Sequence, residues 1–161
     1  MAQRSHDVQS RMLRSWQQPA TERIASDLSI VLGARVLAMD DLRIVDSRPH
    51  SLSTHYFLFP RFADMPALFS ETGSVTASFR RFGVDDYFRL VTRVQARGAS
   101  VEEGAALDCE PGTPLLITNY INVDITGVPI HSGFGRTIGE RLELEFPGDV
   151  GPNGHATRSW R

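Results

Sequence analysis

Residues Pro114 to Phe146 read PLLITNYINVDITGVPIHSGFGRTIGERLELEF, and their pattern decides the fold. Leu115, Ile117, Asn119, Ile121 and Val123 fall on one face of an extended chain, and Leu116, Thr118, Tyr120 and Asn122 on the other. Alternating β-branched and aromatic residues between turn residues are the signal of a strand. Asp124-Ile125-Thr126-Gly127 reverses the chain, with Gly127 free to take positive φ. The returning run, Val128 to Ile138, sets Ile130, Phe134 and Ile138 on one side. His131, Gly133, Gly135 and Thr137 are on the other. Glycines weaken a strand unless something must approach closely. The glycine side is therefore expected to floor a small-molecule pocket, and the other side to face the core. A short third strand is expected before Phe146.

Working outward, the 161 residues are most simply one domain, long enough to bury a core. A composition of 41% hydrophobic and 22% charged residues is that of a soluble globular chain rather than a disordered one. The net charge of -2 gives no general attraction to nucleic acid or to an anionic membrane. Cys109 is the single cysteine, so no intrachain disulfide can form, which fits a reducing compartment. Its setting, just after a short helix, suits packing better than nucleophilic chemistry. No apolar run approaches the roughly 18 residues of a membrane span, and no signal-peptide pattern opens the chain. These features read as a cytoplasmic protein.

In chain order, residues 1–8 are expected to be a linker-like lead-in, 9–146 the ligand-binding domain and 147–161 a disordered polar tail. Gln9 to Trp16 reads as an edge strand. Pro19-Ala20-Thr21-Glu22 opens a helix carrying Ile24, Leu28 and Val31, closed by Gly33. Arg35 to Asp46 and His50 to Leu58 read as strands joined by a turn. Phe62, Met65, Leu68 and Phe69 form a short apolar helix interrupted at Pro66, and Ser74 caps another through Phe82. Tyr87 to Arg97 is a long strand, and Ser100-Val101-Glu102-Glu103 is a capping box opening a last helix. Helix, strand, turn, strand recurs in outline around residues 20–58 and 100–138. The expectation is an α+β fold in which two similar halves build one sheet, with a ligand crevice in each or between them.

The polar residues that could carry chemistry lie on these strands. Asp41 and Arg43 share a face, as do Ser51, Ser53 and His55, and Tyr87 and Arg89; His131 and Thr137 flank the glycines. An anionic ligand calls for guanidinium forks, hydroxyls and a histidine. Arg43 and Arg89 are the preferred anion clamps, with Ser53, His55, Tyr87, His131 and Thr137 as orienting donors. The alternatives are ordinary ones: Arg43 paired with Asp41, half-buried structural histidines, and Arg93 and Arg97 covering a solvated face. The five histidines show no metal-ligand spacing. Gly133-Phe134-Gly135 sits on a strand rather than at a strand-to-helix turn, so no dinucleotide fingerprint is present. Gly-x-Ser-x-Gly is absent. No catalytic residue, metal or cofactor is expected.

Three segments, GVDDYFRLVTRVQAR (83–97), the run beginning at Pro114, and HYFLFPRF (55–62), resemble the effector-binding UTRA domain of GntR/HutC-type bacterial transcription regulators. Within that group they are most similar to phosphonate-utilisation repressors of the PhnF type. The most specific pieces are Tyr87-x-Arg89, Ile121 to Asp124, Gly127-Val128-Pro129 and Gly139-Glu140-Arg141. The resemblance implies a chorismate-lyase-like fold, a mostly antiparallel sheet with helices packed on it, in a homodimer. It also implies a small anionic metabolite whose binding alters operator affinity. Carried over by residue, the relatives' anion-binding loop falls near Ser10 and Arg11, an arginine on Arg43, and a polar strand position, acidic in amino-sugar-sensing relatives, on Ser53. An acidic position becomes His131 and an aromatic one Thr137. Losing two acids argues against an amino sugar and favours a phosphonate or phosphate ester. Operator DNA would be read by a winged helix-turn-helix, which has no counterpart in these residues. The reading is therefore an excised effector domain or a stand-alone relative. The other possibility is an enzyme similar to chorismate lyase, disfavoured because Val128 to Gly139 contains no Asp or Glu to act as a raised-pKa acid.

Overall fold

The computed structural model describes residues 6–146. Six strands form one sheet: β1 (Val8–Pro19), β2 (Arg35–Val45), β3 (Arg48–Leu58), β4 (Tyr87–Gly98), β5 (Pro114–Asp124) and β6 (Pro129–Ile138). Their spatial order is β1-β2-β3-β6-β5-β4, and every neighbouring pair is antiparallel. Four helices accompany them: α1 (Glu22–Leu28), α2 (Met65–Thr72), α3 (Val75–Arg81) and α4 (Val101–Leu107). The architecture is the expected α+β arrangement.

Strand alternation sorts the helices onto two faces. Val36, Tyr56 and Leu58 pack with Ile24, Ala25 and Leu28 of α1, while Leu42, Leu52, Leu115, Ile117 and Ile138 pack with Leu107 of α4. The intervening residues Leu37, Met39 and Phe57 point the other way, onto Met65, Phe69 and Phe79 of α2 and α3. The hairpin departs from simple alternation at one place. A register shift between Asn122 and Val123 opposite the start of β6 brings Ile130 into the same core as Phe57 and Phe79, on the His131 side.

The outline repeat is a structural one. β1, α1 and β2 begin at residues 8, 22 and 35, and β4, α4 and β5 at 87, 101 and 114, an offset of 79 in all three cases. The connections match as well: Gly33 N–H donates to the Ala20 carbonyl at 2.9 Å, and Gly112 N–H to that of Ala99 at 2.8 Å. Two β-α-β-β halves thus meet at the central β3–β6 pair.

Several boundaries differ from the sequence expectation. β1 runs from Val8 to Pro19 rather than ending at Trp16. α1 stops at Leu28 because Ser29 takes a left-handed conformation (φ 54°) and its N–H returns to the Ala25 and Ser26 carbonyls. Val31 is consequently exposed rather than on the helix. Pro66 opens α2 instead of interrupting it, since a first-turn residue needs no intrahelical N–H bond. The third strand of the hairpin region does not form: Gly139–Arg141 is a 3-10 turn and residues 142–146 are unpaired. The proposed tail, 147–161, and residues 1–5 of the lead-in lie outside the described residues.

Candidate functional site

A cavity of about 360 Å³ lies between the sheet and the α2–α3 junction. Its floor is built by register. Ser10 on β1 pairs with Arg43 on β2, which pairs with Ser51 on β3, and Asp41 pairs with Ser53. Lateral partners project their side chains in the same direction, so these five line the cavity together with His55. Phe69, Gly73, Ser74 and Val75 form the roof. The roof is tight because Gly73 (φ 67°) ends α2 and the next residue, Ser74, already caps α3, its hydroxyl accepting from Ala77 N–H. Tyr120 of β5 closes one end. A larger depression, about 670 Å³, lies by the β2–β3 turn between Asp46, His50 and Arg141. It is walled by the ends of β2 and β3, their turn and flanking residues at the sheet's end, and none of its lining side chains is buried. The smaller cavity is the better site candidate.

Behind the cavity a chain of hydrogen bonds crosses five strands. Arg89 Nε–H donates to Asn122 Oδ1 at 2.7 Å. Asn122 Nδ2 is 3.0 Å from His131 Nδ1, His131 Nε2 is 2.9 Å from His55 Nδ1, and His55 Nε2 is 2.6 Å from Asp41 Oδ1. The two ends fix the polarity. Arginine can only donate and a carboxylate only accept, so each link runs from Arg89 towards Asp41 and both histidines are neutral, protonated on Nε2. A charged His55 would also donate from Nδ1, and two donors would then meet at one of the links. The middle of the chain is dry: His131 is 1% exposed and Asn122 2%. His131 stacks on Phe57 with centroids 4.6 Å apart. Burial above all, with the nearby Arg89 charge adding to it, holds its pKa well below the ordinary 6.5.

Of the residues singled out from sequence, Ser10, Arg43, Ser53 and His55 border the cavity. The others do not. Arg11 is exposed and sits opposite Leu42, whose side chain joins the α4 core, so it belongs to the other face. The Tyr87 hydroxyl meets Thr76 at 2.6 Å and its ring meets Phe79 edge-on, which pins α3 to the sheet. Arg89 is taken up by Asn122 and by the Tyr120 ring, 3.8 Å from its guanidinium carbon. His131 is enclosed in the chain just described, and Thr137 is buried opposite Ser51 without reaching the cavity wall. Arg43 does not pair with Asp41; that carboxylate is engaged by His55.

The two glycines of β6 have another purpose than a ligand floor. A Cβ at Gly133 would lie 2.0 Å from Tyr120 Cζ, and one at Gly135 2.5 Å from Thr118 Oγ1. They make room for the protein's own cross-strand side chains. Asp41, Ser51, Ser74 and Tyr120 were not singled out as ligand contacts, although Asp41 shares its strand face with Arg43, and Tyr120 faces Gly133 across the hairpin. Among the described residues no group of three His, Cys, Asp or Glu is placed to hold a metal ion, and no helix is long and apolar enough to cross a membrane.

Residues 3–143 match the UTRA domain family. An HTH-type transcriptional regulator of Rhizobium meliloti (strain 1021) is 31% identical over 140 residues, 87% of this chain and 57% of its own length. The chain thus spans little more than half of that relative. Among solved structures, the ligand-binding domain of a protein described as a GntR-family regulator from Bordetella bronchiseptica superposes with a TM-score of 0.80 at 22% identity. The match covers 87% of this chain and 91% of that one. PhnF from Mycobacterium smegmatis gives 0.79 at 22% identity, over 86% of this chain and 61% of that one. A PhnF C-terminal domain gives 0.72 at 27% identity, over 84% and 85%. With its antiparallel six-stranded sheet and a match spanning nearly all the described residues, the chain belongs to the UTRA domain family.

Proposed function

We propose that this chain is the effector-sensing domain of a GntR-family transcriptional regulator, and that its effector is a small anionic molecule of the phosphonate or phosphate-ester class. The observation that carries this reading is Arg43. Arg43 borders the cavity together with Ser10, Ser51, Ser53 and Ser74, and among the described residues its guanidinium makes no ion pair or side-chain hydrogen bond. A guanidinium fork ringed by hydroxyl donors suits a tetrahedral oxyanion. The regulators among its relatives supply the context: ligand binding would favour one arrangement of a dimer over another and so alter DNA affinity in the whole protein. That mechanism is linkage, with coupling on the order of 1–3 kcal/mol. Isothermal titration of the domain with alkylphosphonates, sugar phosphates and inorganic phosphate tests it. Heat with at least one of them, lost in Arg43→Ala, is expected; silence with all of them overturns the reading.

A further inference from the structure

The cavity holds an acid as well as a base. Asp41 is 6% exposed, yet its one protein partner among the described residues is the neutral Nε2–H of His55, on Oδ1. Oδ2 has no protein donor among the described residues, and Asp41 borders the cavity. A carboxylate removed from water is normally paired with a cation, and none of the ion pairs here gives Asp41 an arginine or lysine. The hydrogen-bond chain explains why the shortage is not met from within. Its polarity keeps His55 neutral, and Arg89, the cation at the far end, is three residues of relay away. Asp41 and Arg43 are two residues apart on one strand face, so their Cα atoms are about 7 Å apart.

Resting on the anion-binding reading above, we infer that the effector is a zwitterion: its oxyanion lies against Arg43 and a protonated amine, a few bonds away, supplies the missing counter-charge at Asp41. The acids missing at Ser53 on β3 and His131 on β6 had argued against an amino-sugar effector; Asp41 on β2 supplies a carboxylate instead.

Matched probes test this: 2-aminoethyl phosphate, 2-hydroxyethyl phosphate and ethyl phosphate, titrated calorimetrically into the wild-type domain and into Asp41→Asn. The asparagine keeps an acceptor for His55 and removes only the charge. The amine compound is expected to bind wild type at least about tenfold more tightly than the other two, a difference of roughly 1.4 kcal/mol, and Asp41→Asn is expected to erase that preference. Equal binding of ethyl and aminoethyl phosphate by wild type overturns the zwitterion and leaves the anion reading standing. Equal binding of the hydroxyl and amine compounds overturns the counter-charge argument. No binding of any of the three to the wild-type protein overturns both readings for phosphate esters. The wild-type comparison stands by itself should the variant fold poorly.

Discussion

His131 Nε2 lies 2.9 Å from His55 Nδ1, and the groups beyond each ring make His131 the donor. Two consequences follow for His131→Phe. The phenyl ring keeps the stack on Phe57 but leaves the Asn122 amide and His55 Nδ1 without partners. Stranding two buried polar groups costs on the order of 2–4 kcal/mol, readable by urea denaturation at pH 7.5. The pH profile changes too. The pKa of His131 is held well below 6.5 in the folded chain, so below that pH the unfolded state takes up a proton that the native state refuses. The stability this neutral group contributes is complete above pH 6.5 and erodes as pH falls. Wild type should therefore lose stability more steeply than His131→Phe between pH 6.5 and 5; equal slopes would contradict the assignment.

Much of the fold could be read directly because strand alternation and turn residues are local signals. The hairpin 114–138, the Ser100 capping box and the two-half outline all emerged that way. What misled was local evidence with a non-local cause. Gly133 and Gly135 read as a ligand floor, but their reason is Tyr120 and Thr118 on the neighbouring strand. Arg43, Ser53 and His55 were visible as polar residues on strands. Asp41 could be assigned to the cavity only once its partner was known to be His55 rather than Arg43. Arg97 read as a solvated-face residue, yet it makes a bidentate bond to Glu103.

Gly133→Ala is expected to destabilise the domain by about 1–3 kcal/mol through overpacking. Its new methyl group would occupy the space of the Tyr120 ring, which Arg89 covers at 3.8 Å from its guanidinium carbon. Tyr120→Ser opens that space. In the double variant the alanine should cost far less than alone, a non-additivity that a thermodynamic cycle from urea midpoints measures. Additive losses would mean that the ring is not the obstacle.

Glu103 joins the α4 capping box to β4. Its carboxylate accepts from both Arg97 nitrogens at 2.7 and 2.8 Å and from Ser100 N–H at 2.9 Å. The Arg97 bonds in particular pull its pKa from 4.5 down to about 2. A depressed carboxylate stabilises fully above its unfolded pKa and ceases to do so as pH falls through its folded one. Glu103→Gln should cost about 1 kcal/mol at pH 7, with Arg97 half exposed. The gap in thermal midpoint between wild type and variant should narrow below pH 4.5 and close near pH 2; a gap constant across that range would place the stabilisation elsewhere.

Arg43 and Arg89 were alike in the sequence, each on a strand face with polar neighbours, but their surroundings assign them different work. Arg43 borders the cavity among serines, whereas Arg89 donates to Asn122 and Thr92 and lies over Tyr120. Arg43→Ala should therefore weaken binding of an anionic probe at least about tenfold, equivalent to roughly 1.4 kcal/mol, while leaving the unfolding midpoint nearly unchanged. Arg43→Lys keeps the charge without the fork and should recover only part of the loss. Arg89→Ala should show the reverse pattern: lower stability, from the stranded Asn122 carbonyl, and a smaller change in affinity carried through Tyr120 and the hydrogen-bond chain. Calorimetric affinities and urea midpoints on the same three variants separate the cases. If Arg89→Ala abolishes binding with its stability intact while Arg43→Ala does not, the ligand sits over β4 and β5 rather than beneath the α2–α3 junction.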